Sequence, residues 1–82
     1  MSRVKIYSTE TCGYCIMAKR WLTENQIEYT EILLDNQEAI SQFREECPGQ
    51  RTVPQIFVLG ELIEGGYDGL MKKKEEVLTL LK

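Results

Sequence analysis

The segment YSTETCGYCIMAKRW, residues 7–21, places two cysteines three positions apart at the junction of two kinds of sequence. It overlaps the end of RVKIYS (3–8), which is short, apolar and β-branched and therefore predicts a strand. After the cysteines, apolar residues recur at helical spacing, which predicts a helix with an inward face of Tyr14, Met17, Ala18, Trp21 and Leu22. Cys12 would stand at the N-terminal end of this helix, and Cys15 one turn inside it.

A second strand and a second helix follow. IEYTEILL (27–34) has strand character, and Asp35 or Asn36 offers a cap for a helix after it. Because a proline restricts the residue before it and Gly49 comes next, this helix should end near Cys47. Its inward side chains would be Ala39, Ile40 and Phe43.

The last third of the chain predicts a hairpin and a closing helix. PQIFVL (54–59) and ELIEG (61–65) have the pattern of two antiparallel strands joined around Gly60. GGYDG is a turn, and LMKKKEEVLTLLK (70–82) predicts a helix with an inward face of Leu70, Val77, Leu78 and Leu81. The order β-α-β-α-β-β-α predicts an α/β fold, a mixed four-stranded sheet flanked by three helices, with a right-handed parallel unit at its start.

Size and charge argue against several classes of protein. With 82 residues and 43% hydrophobic content, the chain is expected to form a single domain over residues 1–82. A formal net charge of −3 argues against nucleic-acid binding, which needs a basic face. No stretch has the length and apolarity of a membrane span, and MSRVKIYS shows no signal region. We therefore expect a cytoplasmic monomer that binds neither membranes nor nucleic acid.

Three functions compete for the cysteine pair. A zinc site needs four ligands, but the chain has no histidine and only one further cysteine, Cys47. A structural disulfide across so short a loop would constrain the unfolded chain little, and it would face a reducing cytoplasm. A redox-active pair needs only a stabilised thiolate and a second thiol within reach. The pattern therefore favours thiol–disulfide exchange without a metal.

The start of the helix suggests a different role for each thiol. Unpaired N–H groups and the positive end of the helix dipole would stabilise the thiolate of Cys12. Because a stable thiolate is also a good leaving group, Cys12 would take up a thiol adduct and then release it. Cys15 would attack the mixed disulfide when two electrons are exchanged. The alternative for Cys15 is a buried cysteine that only packs.

In three stretches the sequence resembles the glutaredoxins, small members of the thioredoxin superfamily. These stretches are TCGYC (11–15), TVPQIF (52–57) and GGYDGL (65–70), and the resemblance covers essentially the whole chain. A lone CxxC motif is a weak sign, but three motifs in this order in so short a chain are specific. The resemblance implies a thioredoxin-like fold and a thiol–disulfide oxidoreductase.

The resemblance also implies glutathione as co-substrate, and protein disulfides and glutathionylated proteins as clients. Cys12 would carry the glutathionyl group and Cys15 would resolve it. A cis Val53–Pro54 bond would present the Val53 backbone to glutathione, and Asp68 would help hold the γ-glutamyl end. Taken without the family, Pro54 could start an edge strand and GGYDG could be an ordinary turn. The implied glutathione-binding residues are Tyr14, Arg51, Thr52, Val53, Pro54, Gly66, Tyr67 and Asp68.

Several positions depart from the family pattern. Many glutaredoxins carry a lysine where this chain has Thr9, and an arginine or glutamine where it has Ser41, and both usually help hold the glycine carboxylate of glutathione. Gly69 replaces an aspartate common in the last motif. Arg51 is the remaining candidate for binding the glycine carboxylate of glutathione. We therefore expect weaker glutathione binding than in a typical member, because charged hydrogen bonds are missing.

Two alternative functions and one unassigned thiol remain. Gly13 stands where many dithiol glutaredoxins carry proline, and some family members with a small residue there hold a [2Fe–2S] cluster between two subunits, with glutathione as a further ligand. Thr9 and Ser41 add weight to a thioredoxin-like donor fed by a reductase protein. Cys47 is expected to be a partly exposed thiol without a role, or else an accessory thiol that becomes glutathionylated or links two chains.

Overall fold

The computed structural model describes residues 2–81, and its central sheet has the order β2-β1-β3-β4. Strand β1 pairs in parallel with β2 and antiparallel with β3, which pairs antiparallel with β4. The predicted mixed four-stranded sheet is therefore confirmed. In chain order the elements are β1 Val4–Ser8, α1 Gly13–Glu24, β2 Tyr29–Leu33, α2 Gln37–Glu46, β3 Gln55–Val58, β4 Glu61–Ile63, α3 Gly66–Lys72 and α4 Lys74–Leu80.

Helices cover both faces of the sheet, because the central strands are apolar on both sides. On one face, Val4 and Ile6 of β1 join the larger core with residues of α1, α3 and α4. On the other face, Tyr7 packs with Phe43 and Cys47 from α2 and its end. Strand β1 is an inner strand, between β2 and β3. The segment that follows it therefore leaves the sheet at the C-terminal end of an inner strand.

The buried face of α1 differs from the prediction. Cys15, Ala18 and Leu22 are buried, whereas Tyr14 is 63% and Met17 is 43% exposed. The buried face is centred on Cys15, a residue that behaves as a small apolar side chain when it packs. Trp21 is only partly buried against the core. The inward roles of Tyr14 and Met17 were therefore wrong.

Helix α2 begins and ends where predicted. Asn36 caps it by accepting a hydrogen bond from the Ala39 N–H at 2.8 Å, and Cys47 ends it by donating to the Phe43 carbonyl at 2.8 Å. Ala39 and Phe43 are buried, and Ile40 is half-buried. Cys47 is only 1% exposed, so the expectation of a partly exposed thiol was wrong.

The hairpin is confirmed, and its turn consists of Leu59 and Gly60. Both residues have positive φ, 52° and 85°, as a two-residue turn between twisted strands requires.

The predicted closing helix begins earlier, at Gly66 within the predicted turn, and is divided in two, so that within residues 2–81 four helices flank the sheet instead of three. Lys73 leaves the helical conformation, and its N–H donates to the carbonyls of Gly69 and Leu70. Lys72, Lys73 and Lys74 are all exposed, so no buried side chain holds the helix straight at this point. Among residues 2–81, the helices are too short or too polar to cross a membrane.

Candidate active site

Cys12 is the N-cap of α1, at the central sheet edge where β1 ends. Its backbone is extended, and its Sγ accepts a hydrogen bond from the Cys15 backbone N–H at 3.1 Å. An N-cap acceptor satisfies one of the free N–H groups of the first turn, and a negative charge is favoured there by the helix dipole. The predicted position of Cys12 is confirmed, and the residue is partly exposed.

A second segment reaches the same sulfur from the other side. The Val53 carbonyl oxygen lies 3.6 Å from the Cys12 Sγ, although the two residues are 41 positions apart. The Val53–Pro54 peptide bond is cis, as predicted. The loop before β3 therefore forms one wall beside the reactive sulfur.

Cys15 differs from Cys12 in its surroundings. The residue is completely buried. Burial, followed by the hydrogen bond with Cys12, raises the pKa of the Cys15 thiol to about 12, although the Thr9 backbone and the Lys19 ammonium act in the opposite direction. The partly exposed Cys12 is therefore suited to attack other molecules, and the buried Cys15 to act after it.

A cleft of about 390 Å³ opens beside the redox pair. All of the predicted glutathione-binding residues except Arg51 contribute to its walls, together with three that were not in that set, Gln50, Gln55 and Gly65. The walls are formed by Tyr14, Gln50, Thr52, Val53, Pro54, Gln55, Gly65, Gly66, Tyr67 and Asp68.

The start of α3 approaches the loop that carries Pro54. Gly66 has φ of 60°, and a Cβ there would lie 3.0 Å from the Pro54 carbonyl oxygen. A side chain would push the two walls of the cleft apart. Across the mouth, the rings of Tyr14 and Tyr67 stack with centroids 6.0 Å apart. Tyr14 therefore lies at the edge of the site, as expected, although not in the core.

The structure places Arg51 outside the cleft. It lines a neighbouring groove whose walls are Leu34, Ile40, Phe43, Arg44, Gly49, Gln50 and Arg51. Gln50 belongs to both depressions, so Arg51 is next to the cleft without forming its wall.

Gln55 is a site residue that the sequence analysis missed. It is 4% exposed, and its Nε2 donates to the Thr52 carbonyl oxygen at 2.8 Å. This contact holds the loop that carries Val53. A polar residue directly after Pro54, in a strand that is otherwise apolar, is the sequence signal that could have revealed it.

Positions that depart from the family pattern have different local explanations. Ser41 is exposed and pairs with Gln37 of its own helix, and Thr9 lines a separate depression together with the end of β2. At Gly69, a Cβ would lie 1.7 Å from the Glu64 carbonyl oxygen. A side chain at this position would therefore clash with the backbone of Glu64, so packing explains why glycine stands here.

Comparison with known proteins agrees with this geometry. The glutaredoxin family model matches residues 4–63. Rat mitochondrial glutaredoxin-2 is 41% identical over 81 residues, which cover 95% of this chain and 52% of the rat protein. Glutaredoxin 3 of Escherichia coli is 39% identical over 70 residues, which cover 85% of this chain and 83% of that protein. The chain thus spans about half the length of the mitochondrial relatives and most of the bacterial one.

Solved structures show the same fold. Glutaredoxin 1 from Francisella tularensis, complexed with cacodylate, superposes with a TM-score of 0.79 at 35% identity, covering 96% of this chain and 99% of that one. A buckwheat glutaredoxin–glutathione complex superposes with a TM-score of 0.78 at 32% identity, covering 96% and 78%. The chain therefore belongs to the glutaredoxin family, whose members are thiol–disulfide oxidoreductases of the thioredoxin superfamily.

Proposed function

We propose that this chain is a glutathione-dependent oxidoreductase that reduces glutathione mixed disulfides and protein disulfides through Cys12. The observation that supports this most strongly is the environment of the Cys12 sulfur. The residue is partly exposed, and its sulfur accepts the Cys15 N–H at 3.1 Å and lies beside the Val53 carbonyl at the cleft. A buckwheat relative with 32% identity has been solved with glutathione, which supports glutathione as the co-substrate here.

In the first half-reaction the Cys12 thiolate attacks the glutathione sulfur of a glutathionylated client. The client–glutathione S–S bond breaks, a Cys12–glutathione bond forms, and the client leaves as a thiolate. A second glutathione thiolate then attacks the bound glutathionyl sulfur, and Cys12 leaves. The Cys15 N–H contact and the helix dipole stabilise the departing Cys12 thiolate, which favours this second step.

For a protein disulfide, the mixed disulfide is resolved within the chain. Cys12 attacks one client sulfur, and the thiolate of Cys15 then attacks Cys12. The internal Cys12–Cys15 disulfide forms and the client leaves reduced. Two glutathione molecules restore the dithiol and become oxidised glutathione. A reducing compartment such as the cytoplasm, as predicted from the sequence, maintains the glutathione that this cycle consumes.

The cleft supplies a binding surface for glutathione next to this chemistry. The Val53 backbone would pair with glutathione as an adjacent strand does, and Gly66 would allow close approach. Asp68, at the first turn of α3, would bind the γ-glutamyl end. With Thr9 and Ser41 in place of longer polar side chains, Arg51 is left to bind the glycine carboxylate from the neighbouring groove.

The test is turnover of a small glutathione mixed disulfide, with glutathione, glutathione reductase and NADPH. We expect turnover that requires glutathione. A chain that is reduced only by a thioredoxin reductase, and not by glutathione, would be a thioredoxin-like donor instead, and the proposal would be wrong.

The role of [2Fe–2S] carrier stays a prediction from Gly13. A built Cβ at this exposed glycine meets nothing within 4 Å, so the position next to Cys12 is open. Within residues 2–81 there is no cluster of three or more Cys, His, Asp or Glu side chains that could hold a metal. One chain would thus supply only the Cys12 thiolate, and a second chain and glutathione would be needed. Visible absorbance after anaerobic reconstitution with iron, sulfide and glutathione would reveal the cluster.

A further inference from the structure

A partly shielded ion pair links the helix of the cysteine pair to the neighbouring strand β2. Lys19 of α1 donates to the Glu31 carboxylate of β2 at 2.7 Å, and Ser8 of β1 donates to the same carboxylate oxygen at 2.5 Å. Ser8 is completely buried, and the side chains of Lys19 and Glu31 are only 25% and 28% exposed. The ammonium of Lys19 is therefore fixed in place and partly shielded from water.

The same lysine lies one helical turn after Cys15. Residues four apart on a helix are neighbours, with Cβ atoms about 5–6 Å apart. Cys15 is completely buried, so its sulfur is poorly solvated and nearby charges act on it strongly. Two groups of α1 are therefore neighbours of Cys15: Cys12, three residues before it, and the Lys19 cation, four residues after it.

We propose that Lys19 is a positioning residue for the resolving step, and that it stabilises the Cys15 thiolate once Cys12 carries an adduct. This inference rests on the proposed function. In the dithiol form, the hydrogen bond with the Cys12 side chain and any charge on its sulfur oppose ionisation of Cys15. A mixed disulfide at Cys12 removes both effects, and the attraction of Lys19 remains.

The directions of the titration shifts agree with this geometry. Burial raises the pKa of Cys15 first, followed by the hydrogen bond to Cys12 and its charge, and Lys19 lowers it together with the Thr9 backbone N–H. The pKa of Lys19 is raised, chiefly by its hydrogen bond to Glu31, so the lysine stays cationic at neutral pH. The groups around Cys15 are therefore Cys12 at the helix start, Thr9 after β1, and Lys19 held by Glu31 of β2.

The step itself is balanced without another reactant. Cys15 loses its proton to water, and the electron pair of its thiolate attacks the Cys12 sulfur. The Cys12–glutathione bond breaks, the Cys12–Cys15 bond forms, and glutathione leaves as a thiolate that takes up a proton. Lys19 keeps its own proton throughout.

The experiment follows this step directly. The reduced chain is mixed with one equivalent of oxidised glutathione and acid-quenched at successive times, and mass spectrometry follows the glutathionyl adduct as it converts to the internal disulfide. The rate is measured against pH for the wild type, Lys19→Met, Lys19→Arg and Arg20→Met. Arg20 is an exposed cation on the same helix, so its variant is matched for loss of charge.

We expect Lys19→Met to slow conversion at neutral pH about tenfold and to move the rate profile to higher pH by about one unit, the change that one unit of Cys15 pKa produces. Lys19→Arg should restore most of the rate, and Arg20→Met should match the wild type. An unchanged pH profile in Lys19→Met, or an equal shift in Arg20→Met, would overturn the inference about Lys19. The proposed function would still stand in either case, provided that the glutathionyl adduct forms on the wild type. If the wild type forms no adduct, the proposed function itself is wrong.

Discussion

The backbone N–H of Cys15 donates a hydrogen bond to the sulfur of Cys12 at an N–S distance of 3.1 Å, so the first turn of α1 holds the side chain that caps it. The same turn carries the second thiol into the core, where it is completely buried. One helical start therefore places two thiols in different surroundings, and its first turn carries no charged side chain.

This asymmetry predicts opposite outcomes for the two serine variants. Cys12→Ser should abolish both glutathione-dependent activities, because no accessible thiol remains to form the first mixed disulfide. Cys15→Ser should retain reduction of glutathione mixed disulfides and lose reduction of protein disulfides. Both activities are measured in glutathione-coupled assays. Loss of both activities in Cys15→Ser would mean that the role of the buried thiol is misassigned.

Thr9→Lys is expected to improve binding of glutathionylated substrates. A lysine at this position restores a cation that many family members carry, and a charged hydrogen bond contributes about 1.5–3 kcal/mol, so KM should fall by about tenfold to a hundredfold. Thr23→Lys, an exposed threonine far along α1, adds the same charge as a control. Equal KM values in Thr9→Lys and the wild type would contradict the account of the weakened carboxylate site.

Gly69→Ala should destabilise the fold, because the new Cβ would meet the Glu64 carbonyl oxygen at 1.7 Å. Overpacking of this kind costs about 3 kcal/mol. Gly13→Ala is the matched control, since its Cβ meets nothing within 4 Å and its free energy of unfolding should change by less than about 1 kcal/mol. Denaturant unfolding compares the two, and equal stabilities would refute the packing explanation for Gly69.

The fold should lose stability in acid through two glutamates. Hydrogen bonding to Lys19, then to Ser8, lowers the pKa of Glu31 below its usual 4.5, and Lys5, then Tyr7, does the same for Glu46. A carboxylate whose pKa is lowered in the folded state stabilises the fold at pH values above the pKa of an unfolded glutamate. This contribution is lost as the pH falls through the lower pKa of the folded state.

Glutamine variants test this assignment. Glu31→Gln and Glu46→Gln should each show a shallower loss of unfolding free energy between pH about 5 and 3 than the wild type. Glu38→Gln, on the exposed surface of α2, is the control and should follow the wild-type curve. Identical pH curves for all four proteins would show that these ion pairs do not contribute to the pH dependence.

Local signals in the sequence were sufficient for the redox pair and the sheet. Because Cys12 and Cys15 precede and enter a helical pattern, the sequence predicted their positions at the start of α1. The strand patterns predicted the four strands of the sheet. Features that depend on contacts between residues distant in the sequence could not be predicted from it. Tyr14 has the helical spacing of a core residue, but Cys15 is the residue of the first turn that is buried. Tyr14 lies on the surface beside the cleft and is exposed.

Other features depend on the same kind of contact. The sequence does not show that the Glu64 carbonyl oxygen lies against Gly69. In the sequence, Gln55 and Lys19 look like ordinary polar residues. Only the structure shows that Gln55 contacts the Thr52 carbonyl oxygen and that Lys19 contacts Glu31 of β2. Arg51 was chosen for its charge, and only the structure shows that it lines the adjoining groove.

The most direct test of the central claim is site-resolved alkylation of the reduced chain by a limiting amount of iodoacetamide at neutral pH, read by peptide mass spectrometry. We predict that Cys12 is labelled first, and that Cys15 and Cys47 stay unmodified until the chain is unfolded. Labelling of Cys15 or Cys47 as fast as Cys12 in the folded chain would contradict the claim that the helix start creates one reactive thiol.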